Sequence, residues 1–302
     1  MSSSSFTSSL ENILYFQAGL GVLDNMFLLV IYIFIILVHR YKSMDLISCQ
    51  LNFVHMMMFL AGENFWLADI FESLNIENDF KCKATFYTKR VMRGLSICIT
   101  CLLSVFQAVT ICPSSSLLAK FKHKLKKVMI NALFFIWSFN LLFSSNLIFY
   151  VGGFNNVSEI KQLKVTKSCS LFPVNYLTRG LILTVTTSRD VFLVAVMLTT
   201  SAYMVILLCK HQRQCKQLHS ISHLRASPEK RATKTILLLV VFFVVMYWVD
   251  FIISITTDML WMYDSLIRIV QKFVVNAYPT ITPFIQISSD RRIVDVVKKL
   301  QA

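Results

Sequence analysis

The chain has 302 residues, of which 56% are apolar and only 15% charged, with 25 Phe and a formal net charge of +14. A soluble domain averages nearer ~25% charged residues, and a nucleic-acid binder spreads Lys and Arg over a water-soluble body. Here the charges sit in short islands between long apolar runs, a pattern that excludes both classes and marks membrane helices of ~20 residues each.

In chain order the first segment is "MSSSSFTSSLEN", which lacks a basic n-region and a cleavage site. The span behind it therefore reads as an uncleaved signal-anchor. Spans are expected over 13–38, 46–70, 84–112, 128–151, 177–209, 232–259 and 266–288, all within a single domain covering 1–302. Each must satisfy its own backbone groups in hydrocarbon, and each is too long for a barrel strand, so all seven are read as helices.

The loops carry the orientation signal. Segments 39–45, 113–127, 209–234 and the tail after 288 hold 18 of the 30 Lys and Arg. The N-terminus, 71–83, 152–176 and 259–265 hold 5, and the other seven lie inside spans. The positive-inside rule places the first set in the cytoplasm. The expected fold class is thus an all-α membrane protein, a seven-transmembrane helix bundle in the plasma membrane with its N-terminus extracellular and its C-terminus cytoplasmic. Lysines of the second cytoplasmic loop, including Lys120 and Lys122, then lie against anionic lipid headgroups or face a cytosolic partner.

Of the eight cysteines, only Cys82 and Cys169 fall in outer segments, where oxidation is possible. A bridge between them would tie the long loop before helix 5 across the mouth of helix 3; the alternative is two free thiols. Asn156-Val157-Ser158 in the same loop is an N-x-S glycosylation acceptor.

Seven spans, the outer N-terminus and that cysteine placement describe a G-protein-coupled receptor. An odd span count without an internal repeat argues against a two-repeat transporter, and no filter-like motif argues for a channel. A small transporter or channel is the alternative of a different class.

Four stretches make the reading more specific. "DLISCQLNFVHMMM" (45–58), "RGLSICITCLLSVFQAVTI" (93–111), "SPEKRATKTILLLV" (227–240) and "YPTITPFIQISSDRRI" (278–293) resemble, in order, segments of the vomeronasal type-1 receptors. Bitter-taste receptors share a similar third helix but fit the other stretches less well. The resemblance implies a pheromone-type chemosensory receptor that binds a small organic ligand and activates an inhibitory-class heterotrimeric G protein. Helix 3 ends "FQAVTICPSSS" without Asp-Arg-Tyr, and helix 7 has "TPFIQ" where Asn-Pro-x-x-Tyr would stand, which fits that family and removes the familiar ionic lock.

Ser227, Pro228 and Glu229 suit the first turn of a helix, so helix 6 is expected to begin in the cytosol with Lys230, Arg231 and Lys234 facing a G protein or solvent. Pro279 and Pro283 should bend helix 7, with neighbouring helices satisfying the freed backbone groups.

Charges inside spans cost roughly 2.5–3.5 kcal/mol at the bilayer centre, so each is a site hypothesis. Lys89 and Arg93 share a face of helix 3 at a depth suited to a mouth-side pocket, where they attract an anionic or acceptor-bearing ligand or pair with Glu63, Asp69 or Glu72. Arg189 and Asp190 are adjacent, point ~100° apart and are each expected to need a partner elsewhere. Arg189 with Asp250 of helix 6 is the expected pair, poised to respond to agonist. Phe86, Tyr247 and Trp248 are candidates to line an apolar ligand pocket, while Trp261 and Tyr263 read as interfacial anchors. The histidines form no metal-spaced cluster apart from His219 and His223, and no nucleophile elbow or phosphate loop is present. No enzyme activity, cofactor, metal or nucleic-acid partner is expected.

Overall fold

Helix 3 is the pivot of the bundle. In this computed structural model, which describes residues 3–38, 43–61, 78–111, 125–149, 151–153, 163–164, 169–171, 176–218, 237–238, 240–253, 265–289 and 292–293, seven helices are seen among the described residues. They are α1 (Ser3–Val38), α2 (Ser43–Leu60), α3 (Asn78–Ile111), α4 (Leu125–Ser144), α5 (Tyr176–Leu218), α6 (Val240–Ile253) and α7 (Ser265–Ser289). In the most apolar stretch of α3, 83% of residues are buried, against 33%, 17% and 28% for α1, α4 and α5. That difference puts α3 at the centre and leaves the other faces to lipid.

The spacing of α3 explains its position. Val91, Leu95, Ile99 and Leu103 recur every four residues, so they line one stripe, and they pack with Ile47, Leu51 and Val54 of α2 and Met129 and Leu133 of α4. Ile97, Cys98 and Cys101 face the other way, into Val194 and Met197 of α5, Phe243 and Val244 of α6 and Tyr278 and Ile285 of α7. One helix thus contributes to two hydrophobic cores.

Helix limits differ from the hydropathy reading where polar residues continue a helix. α1 begins at Ser3 and α3 at Asn78, and α5 runs on to Leu218 through Lys- and Gln-rich sequence with good helix propensity. α4 gives way at Ser145–Phe149 to a 3-10 turn, and Val151 is in a strand rather than in the helix. That strand, β1 (Val151–Gly153), belongs to a small antiparallel sheet of order β1-β3-β2 with β2 (Leu163–Lys164) and β3 (Cys169–Leu171), in which Gly153 pairs with Cys169. Cys169 forms a disulfide with Cys82 near the start of α3, across 87 residues of sequence. The sheet is thereby fastened to α3. Asn156, Trp261 and Tyr263 lie outside the described residues, as do 62–70 of the second expected span and both ends of the sixth.

Side chains supply hydrogen bonds that the helices cannot. Pro283 has no N–H, so the carbonyl of Pro279, four residues back, has no partner within α7. Asn25 of α1 donates to it at 3.0 Å, and also to its own helix at Gly21 (2.7 Å). Neighbour rescue of the proline-broken helix is thus located. Further along α7, Gln286 accepts from Asn52 of α2 at 2.9 Å. Beyond the end of α7, Arg292 clasps Asp45 of α2 with two bonds (2.7 and 3.1 Å), and the fully buried Ile293 packs with Leu28, Ile31, Tyr32 and Ile35 of α1.

The proline rescue gives a test with an internal control. Asn25→Ala should cost about 1–2 kcal/mol, read as a lower unfolding temperature of the purified protein. Pro283→Ala restores an N–H for the Pro279 carbonyl, so Asn25→Ala should cost less in that background than in the native one.

Candidate functional site

The end of the bundle that carries the disulfide holds a polar cluster contributed by five helices. Arg93 of α3 forms an ion pair with Asp250 of α6 through Nη2 and Oδ2. The other carboxylate oxygen of Asp250 accepts from Nε2 of Gln271 on α7 at 3.2 Å. The expected pairing of Arg189 with Asp250 is therefore corrected: Asp250 belongs to Arg93. Arg189 instead turns back on its neighbour, placing Nε at 2.8 Å and Nη2 at 2.7 Å from Oδ1 of Asp190. Adjacent Cβ atoms do diverge on a helix, but the long, flexible arginine stem is able to curl across that angle, which the expectation from helix geometry left out. Tyr247 of α6 donates to the second oxygen of Asp190 at 2.7 Å.

The two ion pairs differ in surroundings. The Asp250 side chain is 4% exposed while that of Arg93 is 45% exposed. A buried carboxylate is thus held by an arginine whose side chain is nearly half exposed. Such an arginine retains donors for something that enters. The side chains of Arg189 and Asp190 are 17% and 10% exposed, so that pair is more enclosed.

α4 closes the cluster. Nη1 of Arg189 lies 3.5 Å from Oδ1 of Asn140, and the Asn140 amide donates to the Ile136 carbonyl at 2.8 Å and to Cys98 Sγ at 3.6 Å. Gly94 makes this approach possible, since a Cβ there would collide with the Asn140 oxygen and touch Nη1 of Arg189. Asn140, Gln271 and Gly94 were not singled out from sequence. The available signal was an amide in the middle of the apolar run "FFIWSFNLLF", with a second amide near the start of span 7.

A second polar string crosses the centre. His55 of α2, fully buried, meets Ser96 Oγ at 3.1 Å and packs edge-on to Tyr278 of α7 at 5.2 Å. The Tyr278 hydroxyl lies 3.0 Å from Thr100 Oγ1 of α3, and Phe243 of α6 sits edge-on to the same ring at 4.6 Å. This string joins four helices directly beneath the charged cluster.

Among the residues expected at the site, Arg93, Arg189, Asp190, Tyr247 and Asp250 come together. Lys89 and Phe86 are partly buried on α3, about one and two turns from Arg93 towards the disulfide. Trp248 is 47% exposed and packs on Phe251, on the face of α6 that carries Val245, Val249 and Ile252. It points away from the cluster because it is one residue, hence about 100°, from Tyr247. Lys120, Lys122, Lys230, Arg231 and Lys234 lie outside the described residues. The described residues contain no group of three His, Cys, Asp or Glu able to hold a metal ion.

Comparison with known proteins is consistent across sequence and fold. Residues 8–299 match the vomeronasal organ pheromone receptor family. Vomeronasal type-1 receptor 90 of Rattus norvegicus is 39% identical over 292 residues, covering 96% of this chain and 94% of the relative. Vomeronasal type-1 receptor 45 of Mus musculus is 37% identical over 293 residues, covering 96% and 92%. The crystal structure of squid rhodopsin superimposes with a TM-score of 0.69 at 13% identity, over 99% of this chain and 81% of that one, a likeness of fold.

The unequal exposure of Arg93 and Asp250 predicts an unequal response to neutralisation. Arg93→Gln leaves a buried carboxylate with one neutral partner and should cost about 3–5 kcal/mol. Asp250→Asn leaves Arg93 able to reach water and should cost less. Thermal unfolding of the two purified variants checks the order.

Proposed function

The chain belongs to the vomeronasal type-1 receptor family and is a multi-pass, G-protein-coupled chemosensory receptor; on that premise we propose that it takes a small organic, pheromone-like ligand at the disulfide end and activates an inhibitory-class G protein at the other. Family membership removes the bitter-taste and transporter alternatives. The proposed orientation is N-terminus outside and C-terminus in the cytoplasm of the plasma-membrane-resident receptor. It is supported by the skew of Lys and Arg, 18 against 5, and by the Cys82–Cys169 disulfide, which needs an oxidising side. Asn156 would then carry glycan, and Lys120, Lys122, Lys230, Arg231 and Lys234 would offer the G protein a basic face.

The observation that carries the mechanism is the ion pair between Arg93 and Asp250. It braces α3 against α6, and Gln271 extends the brace to α7. A ligand with an acceptor or anionic group engages the accessible side of Arg93, with Lys89 above it and with Phe86 and Tyr247 offered to its apolar body. Arg93 then shares its donors between ligand and Asp250, which loosens α6. Ligand shifts the population only as far as it binds the loosened state better. Arg189, Asp190 and Tyr247 link α5 to α6 beside the brace, so they respond to the same movement.

Charge reversal tests the brace in cells with confirmed surface expression, using ligand-triggered G-protein activation across a panel of volatile and anionic organic compounds. Arg93→Asp and Asp250→Arg should each weaken the response at least about tenfold, equivalent to 1.4 kcal/mol, and the double reversal should recover much of it. A double variant no better than either single would sink the mechanism. Blocking inhibitory-class G proteins in the same cells should silence the wild-type response; a response that persists would assign a different G-protein class.

A further inference from the structure

Three arginines meet two aspartates in the cluster, and the ion pairs leave Arg90 as the unmatched cation. Arg93 is paired with Asp250 and Arg189 with Asp190. Among the described residues no carboxylate lies within ion-pair distance of Arg90; Asp190, already paired with Arg189, acts on it only from further away. Among those residues the one hydrogen bond of Arg90 runs from Nη2 to the Thr186 hydroxyl of α5, at 3.5 Å. That hydroxyl already donates to the Ile182 carbonyl at 2.8 Å, so it is available to Arg90 only as an acceptor. A guanidinium has five N–H donors, and most of those on Arg90 have no acceptor among the described residues.

The place is defined from three sides. Arg90 lies eight residues past Cys82, about 12 Å further along α3. Its guanidinium sits over the ring of Phe143 on α4, 5.9 Å from the centroid, and the guanidinium of Arg189 sits over the same ring at 5.0 Å. Among the described residues α4 and α5 make little direct contact, and these side chains, with Asn140, line the seam between them. Two cations share one aromatic platform within a membrane-spanning bundle, and among the described residues only Arg189 is in an ion pair. The attraction of an aromatic face for a cation is far smaller than the cost of taking an ion out of water.

We propose that the seam between α3, α4 and α5 binds one monovalent anion, held by the Arg90 and Arg189 guanidiniums above Phe143. The anion offsets the single excess positive charge that Arg90, Arg93 and Arg189 carry over Asp190 and Asp250. It lies beside the Arg93–Asp250 pair rather than on it, and its test needs no agonist. The same chemistry is met by an inorganic halide arriving through the bundle or by the carboxylate of an amphiphile entering from the bilayer between α4 and α5.

The test is the unfolding temperature of the purified receptor in nanodiscs. Sodium chloride replaces sodium gluconate at equal ionic strength, and in a second arm decanoate is compared with methyl decanoate. A saturating anion should raise the transition by roughly 2–4 °C. A rise with chloride identifies a halide source; a rise confined to decanoate identifies an amphiphile. Arg90→Gln should abolish the rise, and Phe143→Leu should reduce it. If Arg90→Gln does not fold, titration of the wild type with bromide decides: a plateau supports a site, and a shift without saturation overturns it. Equal transitions in both arms, or a rise undiminished in Arg90→Gln, would also overturn it.

Discussion

Everything in this bundle answers to the absence of water around it. A charge or an orphaned carbonyl inside the hydrocarbon has to find its partner within the protein, and the partners that lie on other helices set which helices are neighbours. Arg93 holds α6 and, through Asp250 and Gln271, α7. Arg189 reaches across to Asn140 of α4, while Tyr247 returns the contact from α6 to Asp190 of α5. Hydrophobic burial cannot by itself specify these neighbours, because lipid tails are as apolar as the leucines they would replace. Apolar packing around α3 gives close contact; the polar pairs give it direction.

Sequence reasoning goes far with architecture because hydropathy and loop charge are additive properties of local segments. The spans, the proline-interrupted seventh helix and the cysteines available for oxidation could all be read that way. It goes less far with the site, for reasons specific to each miss. Arg189 turns to Asp190 because a long side chain can defeat the angle between adjacent Cβ atoms. Trp248 leaves the site because one residue of helix rotation separates the core face from the lipid face. The three-stranded sheet escaped notice because strands of two or three residues are too short to display alternation. Asn140 and Gln271 are neutral amides, and nothing in a single sequence separates a site amide from one that caps a turn.

The opposite end shows a related economy. With no Asp-Arg-Tyr at the end of α3, the described ionic contact there is between Asp45 and Arg292, joining the start of α2 to the segment beyond α7. Arg93–Asp250 at one end and Asp45–Arg292 at the other leave the neutral string of His55, Ser96, Thr100 and Tyr278 between them. Neutral hydrogen bonds rearrange with less penalty than ion pairs. In that middle stretch Phe243 and Tyr278, packed edge to face, join α6 to α7.

The contact of Ile293 with α1 also bears on how the molecule is made. Leu28, Ile31, Tyr32 and Ile35 are translated early, yet the residue that completes their cover comes from the far side of all seven helices. The Pro279 carbonyl that receives Asn25 comes almost as late. The first helix is therefore made before the residues that complete this face. A chain cut short of Ile293 would lack that cover, so a loss at the far end of the sequence is felt at the first helix.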